Sequence, residues 1–191
     1  ANFPPEAHAI HGTGWTMPWQ AEPDGTNAVT LRCVHVPNAD WPWPFEAEQR
    51  ITLSAYTLHI ELTARNLSDQ PVPLAFGHHP YFDNEGATLS FAAEQVWRTG
   101  SDGLPAFAET PQGMFDFTRG DPVQTRILDN GFAGWDGKAH IRWDGRPLTL
   151  EIEADVQAAV VYVPEDSNYF CFEPVPHIIN ALNMPGHLPQ M

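Results

Sequence analysis

The chain has 191 residues, 42% of them hydrophobic with 7 Trp and 11 Phe, which is enough for one domain with a real core and too apolar for disorder. Its formal charge is −15, from 9 Lys and Arg against 24 Asp and Glu, so its summed field repels nucleic acid and anionic membranes and disfavours phosphorylated substrates unless a local arginine pair overrides it. Neither nucleic acid nor a membrane is expected as a partner, and a neutral small molecule fits best.

Nineteen prolines and 14 glycines interrupt the chain too often for long helices, and many short strands joined by turns are expected. Residues 26–36 alternate loosely and read as a strand. After the turn-rich stretch from Pro37 to Pro44, Ile51, Leu53 and Ala55 share one parity while Tyr56, Leu58, Ile60 and Leu62 share the other; this slip predicts a tight hairpin or a bulge. Thr88 to Trp97 reads as one further strand. His140 to Trp143, then Asp144-Gly145, then Leu148, Leu150 and Ile152 form the strongest hairpin signal. Val156 to Val163 and Asn168 to Phe172 follow as apolar runs bounded by Pro164 and Pro174. Neither repeats nor a dividing linker occur, so residues 1–191 read as a single all-β domain.

No stretch approaches the roughly 20 apolar residues of a membrane-spanning helix. Ala1-Asn2-Phe3-Pro4-Pro5 lacks the layout of a secretion signal, so a soluble, cytoplasmic protein is expected. Cys33 and Cys171 each lie inside an apolar, strand-like run, where a buried thiol is commoner than a bridge.

Four segments set polar groups among aromatics: His11-Gly12-Thr13-Gly14-Trp15, Phe76 to Phe82, Leu128-Asp129-Asn130-Gly131-Phe132, and Phe172-Glu173-Pro174. Sugar sites have this composition, with aromatic faces against the apolar side of the ring and a few polar groups meeting its hydroxyls. Glu173 interrupts an apolar run, and a lone carboxylate there either faces solvent or lines a cleft. His78 and His79 are neighbours on an extended segment, so at most one of them faces a given site. No ligand-spaced set such as HExxH or CxxC occurs, and no metal is expected. Neither a G-x-S-x-G elbow nor a P-loop is present.

Taken together these motifs resemble the aldose 1-epimerase (galactose mutarotase) family, over about His8 to Asn183. The resemblance rests on His8-Ala9-Ile10-His11-Gly12 with Gly14-Trp15 and Trp19, on Gly77-His78-His79-Pro80-Tyr81-Phe82, and on Phe172-Glu173-Pro174 with Asn180-Ala181-Leu182-Asn183. Trp41-Pro42-Trp43-Pro44-Phe45 and Asn66 lie between. It implies a mostly antiparallel β-supersandwich with an open sugar cleft and no cofactor. It also implies roles: His79 as the acid that protonates the ring oxygen, Glu173 as the base that takes the anomeric hydroxyl proton, and His11, Asp129, Trp15 and Tyr81 as substrate-binding groups. Relatives carry strands ahead of the H-G motif, with a sugar-binding arginine, and a closing strand after the Asn183 region. This chain therefore reads as an internal portion of the fold, with sheet edges open to self-association.

The expected activity is interconversion of the α and β anomers of a neutral aldose such as glucose or galactose, with a monosaccharide as the partner. Two other readings are a non-catalytic carbohydrate-binding or regulatory domain, and a hexose-6-phosphate epimerase, which would need clustered cations at the cleft.

Overall fold

A computed structural model of the chain describes residues 7–73, 75–184 and 186. The described residues up to 73 form one compact unit and those from 75 onward a second. No helix among the described residues is long and apolar enough to cross a membrane; the helical elements are three one-turn 3-10 segments, Gly113–Phe115, Val123–Thr125 and Ala181–Asn183.

The first unit is an antiparallel meander of β1 (Gln20–Asp24), β2 (Ala28–His35), β3 (Phe45–Leu53) and β4 (Leu58–Asn66). The parity slip at residues 55 and 56 is the β3–β4 hairpin, in which Leu53 pairs with Leu58 and Ser54 N–H donates to Thr57 O at 2.9 Å. Period-two alternation gives this sheet two unlike faces. One is charged, with ion pairs Arg32–Glu48, Arg50–Asp24 and Arg65–Glu46. The other buries Cys33, Phe45 and Ala47 beneath Met17, Trp19, Trp41 and Trp43.

The second unit contains β5 (Tyr81–Asp83), β6 (Ala87–Phe91), β7 (Gln95–Thr99), β8 (Pro105–Glu109), β9 (Asp121–Pro122), β10 (Leu128–Ala133), β11 (Lys138–Trp143), β12 (Thr149–Glu153), β13 (Ala158–Val163) and β14 (Tyr169–Val175). They form two antiparallel sheets in the orders β5-β14-β13-β10-β7-β8 and β12-β11-β6-β9. The sheets share one core, in which Leu89, Phe91, Ala139, Ile141 and Trp143 of the smaller sheet meet Val96, Phe132, Val161, Phe170 and Phe172 of the larger. Such a two-layer sandwich leaves each sheet with one outward face.

Thr88 to Trp97, read from the sequence as one strand, is two. β6 and β7 belong to different sheets, and residues 92–94 turn the chain across the core, with Glu94 N–H donating to Ala133 O at 3.0 Å. The Asp144-Gly145 hairpin joins β11 to β12 as expected, with Gly145 at φ +75°, a backbone that glycine adopts without strain. β14 runs on past Phe172 through Glu173 and Pro174. Both cysteines are free and buried.

Candidate active site

The site is built on the outward face of the six-stranded sheet. Along β14, Phe170 and Phe172 point into the core, so alternation sends Tyr169, Cys171 and Glu173 to the opposite face. Cross-strand pairing brings Tyr162 and Val160 of β13 beside Cys171 and Glu173, and Asp129 of β10 beside Tyr162. The carboxylate that interrupts an apolar run therefore lines the sheet's outward side, and the side chain of Glu173 keeps only 12% of its exposure.

On the other side of β14, Tyr81 pairs with Cys171. Continuing that register backward sets residue 79 against residue 173 and residue 77 against residue 175. Gly77 permits a close approach, because a Cβ there would lie 2.7 Å from Val175 Cγ1 and 3.3 Å from Pro174 O. The close approach lets the His78-His79 segment run alongside β14. His79 Nε2 consequently lies 3.3 Å from Glu173 Oε1, and the imidazole is stacked on the Tyr81 ring at 4.8 Å and 15°. Tyr81 in turn touches Tyr169, with centroids 5.0 Å apart. His78 falls on the opposite parity, with Phe82, which packs on core residue Phe170; burial lowers the His78 pKa.

The electrostatics mark Glu173. Burial, and then the negative charge of Asp129, push its carboxyl up to about 8. Burial first, and Glu173 second, push the Cys171 thiol up to about 12. A carboxyl held protonated to near-neutral pH beside an imidazole can accept or release a proton under ordinary conditions, which an unperturbed glutamate cannot do with comparable driving force. Donor atoms of His79, Cys171 and Glu173 all lie within 4.8 Å of one another, a grouping that spacing along the chain does not show.

Of the six residues singled out in the sequence, the second unit brings together His79, Glu173 and Tyr81, with Asp129 close enough to act on Glu173. His11 and Trp15 belong to the first unit, where their rings meet edge-on at 5.5 Å. There Trp15 donates its indole N–H to Gly12 O at 3.2 Å, and His11 holds φ +59°. Sequence reasoning passed over Cys171, Tyr162 and Tyr169. Tyr169 and Cys171 carry a signal that could have found them, since both share the parity of Glu173 on an apolar strand.

Comparisons with known proteins bear on the family and the fold. The model of the aldose 1-epimerase family matches residues 1–187. The chain belongs to the aldose 1-epimerase family. It is 27% identical over 183 residues to the uncharacterized protein YphB of Escherichia coli K12, a match covering 90% of this chain and 62% of that protein. The crystal structure of a candidate aldose 1-epimerase from Escherichia coli K12 superposes with a TM-score of 0.91 at 24% identity, covering all of this chain and 69% of that one. The Slr1438 protein of Synechocystis sp. PCC 6803 follows at 0.76 and 27% identity, covering 95% and 63%. A galactose mutarotase-like protein of Lactobacillus casei gives 0.72 at 16% identity, covering 84% and 62%. This member of the aldose 1-epimerase family thus has the fold of galactose mutarotase-like proteins and spans less than two thirds of the curated relative's length.

Proposed function

We propose that this chain carries the acid–base pair of a mutarotase acting on a free, neutral aldose such as glucose or galactose. Opening a cyclic hemiacetal requires a proton delivered to the ring oxygen and another removed from the anomeric hydroxyl. Both oxygens sit on one carbon, so acid and base must be close neighbours that reach adjacent atoms. The observation that carries the reading is the 3.3 Å approach of His79 to Glu173 on a rim of tyrosines.

In this reading protonated His79 gives its proton to the ring oxygen while ionised Glu173 takes the anomeric proton. The C1–O5 bond breaks, the aldehyde turns about C1–C2, and ring closure on the opposite face runs the same transfers in reverse. Proton and bond balance close within the sugar and the two side chains, so no cofactor takes part in the scheme. Tyr81 orients the imidazole by stacking and offers its edge to the sugar, and Asp129 serves as a hydroxyl acceptor at the cleft. His11 and Trp15 are assigned sugar-binding roles on the family resemblance. Two free thiols suit a reducing, cytoplasmic setting.

Exchange NMR on equilibrated glucose and galactose tests the proposal. Acceleration of α-to-β exchange in proportion to protein concentration is the expected result, and saturable sugar binding without acceleration would turn the reading into that of a binding module.

A further inference from the structure

A cluster of cationic and hydroxyl side chains lies on the opposite side of the same sandwich. Of the nine Lys and Arg side chains, seven make ion pairs among the described residues: Arg32, Arg50, Arg65, Arg98, Arg126, Lys138 and Arg146. The two that do not are Arg119 and Arg142. In a chain of formal charge −15, carboxylates are abundant enough that an unpaired cation is the exception. Both exceptions line one cavity of about 210 Å³, together with Thr88, Ser90, Thr118 and His140.

The fold explains the convergence. On β6, Leu89 and Phe91 face the core, as do Ile141 and Trp143 on β11, so Thr88, Ser90, His140 and Arg142 point outward. Pairing sets Ser90 opposite His140 and Thr88 opposite Arg142, a two-by-two square of donors on one sheet face. β9 pairs along the other edge of β6, which brings the 118–120 turn beside Ser90; a Cβ at Gly120 would lie 3.6 Å from Ser90 Cβ. Arg119 enters from that turn. Two carboxylates act on these groups: Asp116, on which Arg119 acts at longer range, and Glu151, 3.9 Å from His140. The core layer separates this square from His79 and Glu173, with sheets about 10 Å apart.

We propose that this square, with Arg119 beside it, binds a phosphate-type oxyanion, either free or as the phosphoryl group of a small metabolite. Two guanidinium groups supply planar, always-charged forks that match phosphate oxygens, and the Ser90 hydroxyl supplies a shorter-range donor, while the Thr88 hydroxyl lies 3.5 Å from Arg142 O and would turn from it to reach the ligand. The cavity is smaller than the roughly 300–1,000 Å³ that holds drug-sized ligands, so it admits a phosphoryl group and leaves the rest of a ligand outside. Nucleic acid is a poor occupant, because the field of the whole chain repels a polyanion.

The test titrates the full chain at low salt with inorganic phosphate and, separately, with glucose 6-phosphate, by calorimetry and by amide NMR shifts. Saturable binding of one ion per chain is expected, with shifts clustered at residues 88–90, 118–120 and 140–142. The double variant Arg119→Gln/Arg142→Gln should bind at least about 10-fold more weakly, the scale of losing charge-assisted hydrogen bonds. Arg50→Gln, which makes a single neutralisation at a paired cation in the other unit, should bind as the wild type does. Tighter binding of glucose 6-phosphate identifies a phosphorylated metabolite, and equal binding identifies the free ion. Three results would overturn the site: no saturable binding of either probe, the same loss in Arg50→Gln, or phosphate-induced shifts centred on residues 79 and 173. The shift map is read on the wild type, so it decides the matter even if the double variant fails to fold.

Discussion

β14 and β4 are strands of the same kind put to opposite use. In β14 the apolar parity, Phe170 and Phe172, is fully buried, and the other parity carries Tyr169, Cys171 and Glu173 into the site. In β4 the apolar parity runs Leu58, Ile60, Leu62 and Ala64, yet Leu58 is 59% and Ile60 37% exposed. Paired across from them on β3, Leu53 is 57% exposed. Both strands alternate with period two, so alternation tells which side chains share a face and is silent on which face another layer covers. The proposed acid–base pair lies where a polar parity is half-buried behind a finished core. At the Leu53–Leu58 end of β4 an apolar parity has no layer over it among the described residues.

This contrast can be broken by substitution. His79→Ala should lower the rate of anomer exchange by about 10²–10⁴-fold, the usual contribution of one acid–base group, whereas His78→Ala, on the other parity, should cost much less; the reverse order in steady-state rates would assign the site to the wrong imidazole. Gly77→Ala should lower kcat by about 10–100-fold with KM changed less, because a methyl against Val175 shifts the His79 segment off β14. An unchanged kcat would show that the close approach does not position the acid.

Stability gives a smaller readout on the same residue. Glu173 keeps its proton in the fold up to about 8, while the unfolded chain releases it near 4.5. The native state therefore binds more protons than the unfolded one between those values, and stability falls as pH rises through that window and stays lower above it. Glu173→Gln should match the wild-type Tm near pH 4 and exceed it at pH 9 by at least about 2 °C. Equal melting curves at both pH values would mean that the buried carboxyl carries no such strain. The smallest effect belongs to β4. Leu58→Lys should leave exchange rates within about 2-fold and reduce concentration-dependent association in sedimentation velocity, since an exposed apolar edge is what a second chain would cover; more association rather than less would contradict this.

Much of the architecture was legible in the sequence. The parity slip near residue 55 located a hairpin because a turn resets the alternation, and Asp144-Gly145 located another because its turn needs a positive φ. The break inside Thr88 to Trp97 was not legible. Ala92, Ala93 and Glu94 carry neither glycine nor proline, and the chain turns there because tertiary packing divides β6 and β7 between two sheets. At the site, the residue types of His79 and Glu173 were readable, and the sequence left Glu173 open between solvent and cleft. The half-burial of Glu173 beside His79 depends on the β5–β14 register, a pairing between segments about ninety residues apart. The Arg119–Arg142 cavity was invisible for the same reason, since scattered cations meet only through the β6–β11 and β6–β9 pairings.

The central claim is that Glu173 is the base of the anomeric proton transfer, and its pH profile tests it most directly. Exchange NMR on galactose should show kcat/KM rising with pH along a limb near 8 in the wild type, as burial and Asp129 dictate. The limb should move part of the way down in Asp129→Asn, and Glu173→Gln should abolish the accelerated exchange while sugar binding persists. Wild-type exchange rates in Glu173→Gln would contradict the account outright.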